Sequence, residues 1–143
     1  MKYNKTGKSL QGNINTIVRS SLIASSDPNC QGPGLHVYQI KGNAMTSLSV
    51  QPPSCTTPSL SSPCMATFNG KANIQDITDP LNAIPIDGNA ALQVTMTDRG
   101  EPGVADQIGI TVWNKSGGLW FSSNWNGTKT TEQVLGGGNL VVH

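Results

Sequence analysis

The sequence predicts an all-β fold, an antiparallel β-sandwich of the jelly-roll or immunoglobulin-like kind with about nine strands and no significant helix. Three observations carry that expectation. Apolar and polar residues alternate over short runs, the pattern of strands with one buried face. Turn signals interrupt those runs roughly every 8–12 residues, the spacing of sandwiches and barrels. Sixteen Gly and nine Pro supply the turns. With 143 residues the chain reads as one domain, 1–143, long enough to bury a core.

The elements follow in chain order. Met1–Tyr3 reads as the end of a strand and Asn4–Ser9 as a polar turn. Within Gly12–Ile23, Ile14, Thr16 and Val18 share one face, Asn13, Asn15 and Arg19 the other, and Ile17 breaks the pattern. Ala24–Gly34 is a long turn containing Asp27-Pro28 and Gly32-Pro33-Gly34. His36–Lys41 and Ala44–Val50 are two short strands, with a bulge or tight turn at Gly42-Asn43. Four prolines exclude a central strand from Gln51–Pro63, so 51–64 is an exposed Pro/Ser-rich loop. Met65–Ile77 alternates again, with Ala66, Phe68, Ala72 and Ile74 on one face. Thr78-Asp79-Pro80 turns the chain, Ala83–Ile86 is a short strand, and Asp87-Gly88-Asn89 is a hairpin signal.

The most regular stretch is Leu92–Trp125, three strands joined by two glycine-rich turns. Leu92, Val94 and Met96 alternate with Gln93, Thr95 and Thr97, and Ile108, Ile110 and Val112 resume the pattern after Asp98–Gly103. If Asn114–Leu119 closes a hairpin, Val112 lies opposite Phe121, Ile110 opposite Ser123 and Ile108 opposite Trp125, which makes a core face. The same register places Trp113 opposite Trp120 on the outer face. Asn126-Gly127 turns once more, Thr131–Leu135 is a short strand, and Asn139–His143 is a final one.

Charged residues make up 12% of the chain and the net charge is +1, so no basic footprint for nucleic acid or an anionic membrane exists. No apolar run is long enough for a membrane-spanning helix, and no membrane insertion is expected. A surface rich in Ser, Thr, Asn and Gly suits an extracellular or cell-surface β-protein. Met1–Lys5 leads into no apolar stretch and is not a signal peptide, so either the protein stays inside the cell or the chain is the C-terminal fragment of a longer secreted protein.

Several stretches, among them YNKTGKSLQGNINTIVRS, HVYQIKGNAMTSLSV, ATFNGKANIQDITDP, LQVTMTDRGEPGVADQIGIT and GGLWFSSNWNGTKTTEQVLGGGNLVVH, resemble an all-β domain of bacterial secreted proteins. That domain stands at the C-terminal end of large multidomain surface or extracellular proteins, after immunoglobulin-like or HYR-like repeats. The resemblance implies export, upstream domains of the same polypeptide as partners, and an accessory rather than catalytic role. Adhesion is the kind of role it suggests. The insert carrying Cys55 and Cys64 lies outside the shared pattern.

Candidate chemistry is sparse. There is no nucleophile elbow, zinc-protease helix or phosphate-binding loop, and no enzyme activity is expected. His36 falls in a strand, and nothing in the sequence places Cys30 or a serine beside it. Asp98, Glu101 and Asp106 crowd one turn with backbone carbonyls nearby, a set of hard oxygens that suits calcium. Turn chemistry accounts for the same acids: Asp98 capping the turn through its own backbone, Arg99 neutralising Glu101. Calcium is thus the one cofactor to expect, and none is required.

Trp113 and Trp120, side by side, form a platform on which sugar rings stack, as in a carbohydrate-binding module; equally, they are a cross-strand pair that stabilises the hairpin. Polysaccharide and neighbouring subunits are therefore the further partners. The second of these readings makes the chain a subunit or capping domain of an extracellular assembly, pairing through Asn139–His143. Three cysteines allow three pairings; a Cys55–Cys64 disulfide closes the proline-rich loop and contributes about 2–3 kcal/mol. Asn4, Asn114 and Asn126 head glycosylation sequons, which matter only in a eukaryotic secretory route.

Overall fold

The structure, a computed structural model, describes residues 2–3, 10–20, 36–103 and 105–142. The expected turn at 24–34 and Cys30 lie outside the described residues. Among those described there is no helix, and every strand pairing is antiparallel. β1 (Lys2–Tyr3) and β2 (Leu10–Gln11) make a small ribbon. β3 (Asn15–Arg19), β4 (Val37–Gln51), β5 (Cys64–Asp76), β6 (Ile84–Asp98), β7 (Gln107–Trp113) and β8 (Leu119–Ser122) lie side by side in chain order. β9 (Gln133–Val134) joins the same edge of β7 as β8, pairing with Gln107 and Ile108. The described pairing is thus one seven-stranded sheet, a six-stranded meander with β9 added on β7, together with a ribbon, and it contains no second large sheet facing the first.

Two expected chain breaks are absorbed into long strands. Gly42-Asn43 is a bulge inside β4, where the pairing with β5 skips between Gly42 and Ala44. Asp87-Gly88-Asn89, expected as a hairpin turn after a separate strand, is a second irregularity inside β6. There Asn89 takes φ 65° and the register moves from Ala72↔Ala90 to Ile74↔Asp87. The reason is cross-strand: β5 runs unbroken opposite both segments, so an extra residue is taken up as a bulge rather than a reversal.

The alternation sets the faces as expected. β5 reads buried at Ala66, Phe68, Ala72 and Ile74, and β6 at Ala90, Leu92 and Val94. With Ile40 and Val112 these residues form the main core, against which Val18, Leu48, Ile110, Trp120 and Phe121 pack. Ring contact between strands shows that the sheet curls. Tyr38 of β4 and Trp120 of β8 meet edge to face at 5.4 Å between centroids. In strand order they stand four positions apart, about 19 Å in a flat sheet at the usual strand spacing. Curling brings the two margins together over the apolar face, as in part of a barrel.

A second, smaller apolar cluster closes one end of the sheet. Cys55 and Cys64 are disulfide-bonded across nine positions, with Cα atoms 5.7 Å apart, and pin the 51–64 loop as expected. Ala66 and Val142 pack on the pair, with Val50 and Met96 alongside. The final strand expected at Asn139–His143 is absent from 139–142, which has no ladder pairing. Side chains hold that segment instead.

Candidate functional site

Register places Asp98 directly opposite Cys64, so its carboxylate points into the cysteine-lined end of the sheet. Asp98 and Asp106 are both fully buried. Oδ1 of Asp98 accepts from the Gly100 amide at 2.9 Å, and Oδ2 from the Val142 amide at 2.8 Å. Oδ1 of Asp106 accepts from the Arg99 amide at 2.8 Å, and Oδ2 from the Leu140 amide at 2.9 Å. Glu101 accepts from the Asn139 side-chain amide at 2.7 Å. Each of the three acids thus holds one residue of the segment 139–142. Arg99 reaches the Leu60 carbonyl at 3.5 Å and makes no ion pair with Glu101. Among the described residues no group of three or more His, Cys, Asp or Glu is placed to hold a metal ion.

The two glycines of this turn are there for close approach. Gly100, at φ 101°, lies so near the Pro58 carbonyl that a Cβ would sit 2.7 Å from its oxygen. Gly103, at φ 82°, lies under the tail, where a Cβ would meet the Asn139 side chain at 2.7 Å. Both φ values also disfavour any L side chain. The turn is therefore clamped between the disulfide loop and the tail.

The tryptophans are arranged differently from the expected pair. Val112 faces Phe121 as the sequence register has it, but Trp113 faces Leu119 because a bulge falls between the two pairs. Trp120 is the extra residue. It packs against the core with Tyr38 and Phe121, so Trp113 and Trp120 do not form one outer platform. Trp125 is also relocated. Expected opposite Ile108 in the core, it bridges to Thr130 and is 42% exposed, while Ile108 pairs with Gln133. The cause is the tight turn at Asn126-Gly127, whose Asn126 side chain accepts from the amides of Thr128 and Lys129. That turn folds 124–132 back as a strap over the outer face of β6 and β7.

Hydroxyl contacts fix the strap: Thr111 to Thr130 at 2.6 Å, Thr97 to Glu132 at 2.6 Å, and Asn124 to Thr131 at 2.6 Å. Beside it runs an outer groove of about 560 Å³, lined by Thr67, Gln93, Thr95, Trp113 and Trp125 among others. The groove's charged side chains are one Lys, Lys129, and one Glu, Glu132, which balance. The hydroxyls of Thr67 and Thr95 bond to no other described residue. Sequence reasoning missed Trp125, though the Asn-Gly pair immediately after it is a hairpin signal that would have pulled it out of the core register.

At the opposite end from the disulfide, His36 Nδ1 lies 2.6 Å from Asp76 Oδ2. Thr78 donates its amide and hydroxyl to the other carboxylate oxygen. Burial pushes the Asp76 carboxyl up, but the Thr78 bonds and the His36 partner outweigh it and hold the group below the usual carboxylate range. The ring of His36 stacks on Tyr38 at 5.7 Å. Ser20 touches the backbone amide of His36 at 3.1 Å, and no described hydroxyl or thiol bonds to its other ring nitrogen.

Comparison with known proteins adds no relative: no family model, curated protein or solved structure matches the chain. No helix among the described residues is long and apolar enough to cross a membrane.

Proposed function

We propose that this chain is a non-catalytic accessory module of an extracellular or cell-surface bacterial protein, which binds a neutral glycan through the outer groove. The groove carries the reading. It sets Trp113 and Trp125 among neutral hydroxyl and amide groups, with one positive and one negative charge at its wall. An indole face offers a broad apolar surface to the C–H side of a pyranose ring, while Thr and Gln side chains satisfy its hydroxyls. Little net charge favours an uncharged polysaccharide over an acidic one.

The Cys55–Cys64 bond supports the extracellular placement, since disulfides persist in oxidising compartments. The same reading places upstream domains of the polypeptide before this one. It also takes the curled sheet, together with the strap over its outer face, as the scaffold of a jelly-roll-like or immunoglobulin-like sandwich.

An array of neutral oligosaccharides, followed by calorimetry on the hits, tests the proposal. Trp125→Ala is expected to abolish binding while leaving the Tm nearly unchanged, because the ring is exposed. Trp120→Ala is expected to lower stability by about 3 kcal/mol, as truncation of a packed aromatic does, without a specific effect on the groove. Absence of binding to any neutral glycan, or binding indifferent to Trp125→Ala, would sink the reading.

A further inference from the structure

The hydrogen bonds and apolar contacts described for the segment 139–142 come from residues between 50 and 106 and form a slot around it. Leu140 and Val142, two apart on the chain, send their amides to Asp106 and Asp98. Val142 is 5% exposed and fills the apolar pocket of Cys55, Cys64 and Ala66. Nothing in these contacts depends on the segment belonging to the same molecule.

The connection into the slot is Gly136-Gly137-Gly138, and a Cβ added at any of the three would meet nothing within 4 Å. Both ends of this run are tied to one residue. The Leu135 amide donates to the Asp106 carbonyl at 2.9 Å, and the Leu140 amide to the Asp106 carboxylate at 2.9 Å. The glycines therefore form a compact reversal that delivers the tail back to the point it left. An emptied slot strips an amide from each of two buried carboxylates and uncovers the Val142 pocket, a costly state that favours refilling.

We infer that this slot is an exchange site, and that its alternative occupant is the 139–142 segment of a second copy of this chain, giving a reciprocal two-fold dimer. Swapping keeps every contact of the slot and opens only the glycine reversal. In the single chain the short tether gives the tail an effective concentration in the millimolar range, so the closed monomer prevails in dilute solution. Crowding of copies on a surface favours exchange. This inference is independent of the outer groove and of any ligand bound there.

Light scattering coupled to size exclusion tests it on the full chain and on a Gly138→Pro variant. Proline cannot take the φ of 90° that Gly138 has in the reversal, so the substitution keeps the length of the connection while blocking its closure. The expected result is a monomer for the unaltered chain at micromolar concentration and a folded dimer for the variant. Adding Val142→Pro to that variant removes the amide that Asp98 accepts, and is expected to return it to monomer. A folded, monomeric Gly138→Pro chain at every concentration overturns the inference, and so does a dimer untouched by Val142→Pro.

If the Gly138→Pro chain does not fold, the Val142→Pro chain and a synthetic peptide of residues 137–143 decide instead. The peptide is expected to bind that chain and to lose affinity at least tenfold when it carries the same proline. No binding, or equal binding of both peptides, overturns the inference.

Discussion

The middle of the sheet and its disulfide end are held by opposite means. Between β4 and β7, neighbours across the strands are apolar residues at every second position, such as Phe68 against Leu48 and Val94, or Leu92 against Val112. At the disulfide end, two fully buried carboxylates and a glutamate bind a segment more than thirty positions away in sequence. The first arrangement is cooperative and non-directional, and the second is directional and depends on a few polar atoms. A lost methylene in the sheet is felt through packing; a lost oxygen at the end releases a piece of chain.

The largest effect should come from the sheet. Phe68→Ala empties the centre of the main core and is expected to cost about 3–5 kcal/mol, seen as a lower midpoint in chemical denaturation. Asp98→Ala is expected to cost about 2–4 kcal/mol, from two lost charge-assisted bonds. What separates the regions is hydrogen exchange. Phe68→Ala should speed exchange throughout the sheet, whereas Asp98→Ala should release Leu140 and Val142 selectively. If Asp98→Ala instead loosened β4–β7 as much as the tail, the two regions would be one cooperative unit.

The same division governs what the sequence discloses. The sheet was legible because its signal is local: Ala66, Phe68, Leu92 and Val94 declare their face by a period of two. The cysteine bridge was legible because nine positions and four prolines leave a short loop. The role of Asp98 and Asp106 was not, since an acid in a turn looks alike whether it caps its own backbone or grips a distant tail. The Trp113–Trp120 pairing failed by one residue, because a bulge carries no mark in composition and reverses the face of a side chain. Asp87–Asn89 failed for the reverse reason: a local turn signal was overruled by continuous pairing with β5.

A smaller effect is expected from the disulfide. Replacing both Cys55 and Cys64 by Ser removes a short-loop constraint and should cost about 2–3 kcal/mol. Because Val142 packs on that pair, the loss should appear first as faster exchange at Val142 and only later as a lower global midpoint. Simultaneous loss at both places would mean that the loop anchors the whole sheet rather than its end.

The smallest effect should come from the other end, where Asp76 joins His36 and Thr78 and adds a polar anchor to the Tyr38–Trp120 contact. The Asp76 carboxyl is held below its usual range in the folded chain. A folded pKa below the unfolded one means that the stabilisation is complete above the unfolded value, about 3.9 for an aspartate, and fades as pH falls through the folded value. The Tm of the chain should therefore fall on acidification below about pH 4. Asp76→Asn, which has no charge to lose, should start from a lower Tm at neutral pH and show a shallower decline. Equal slopes for the two proteins between pH 5 and pH 2 would assign the acid sensitivity elsewhere.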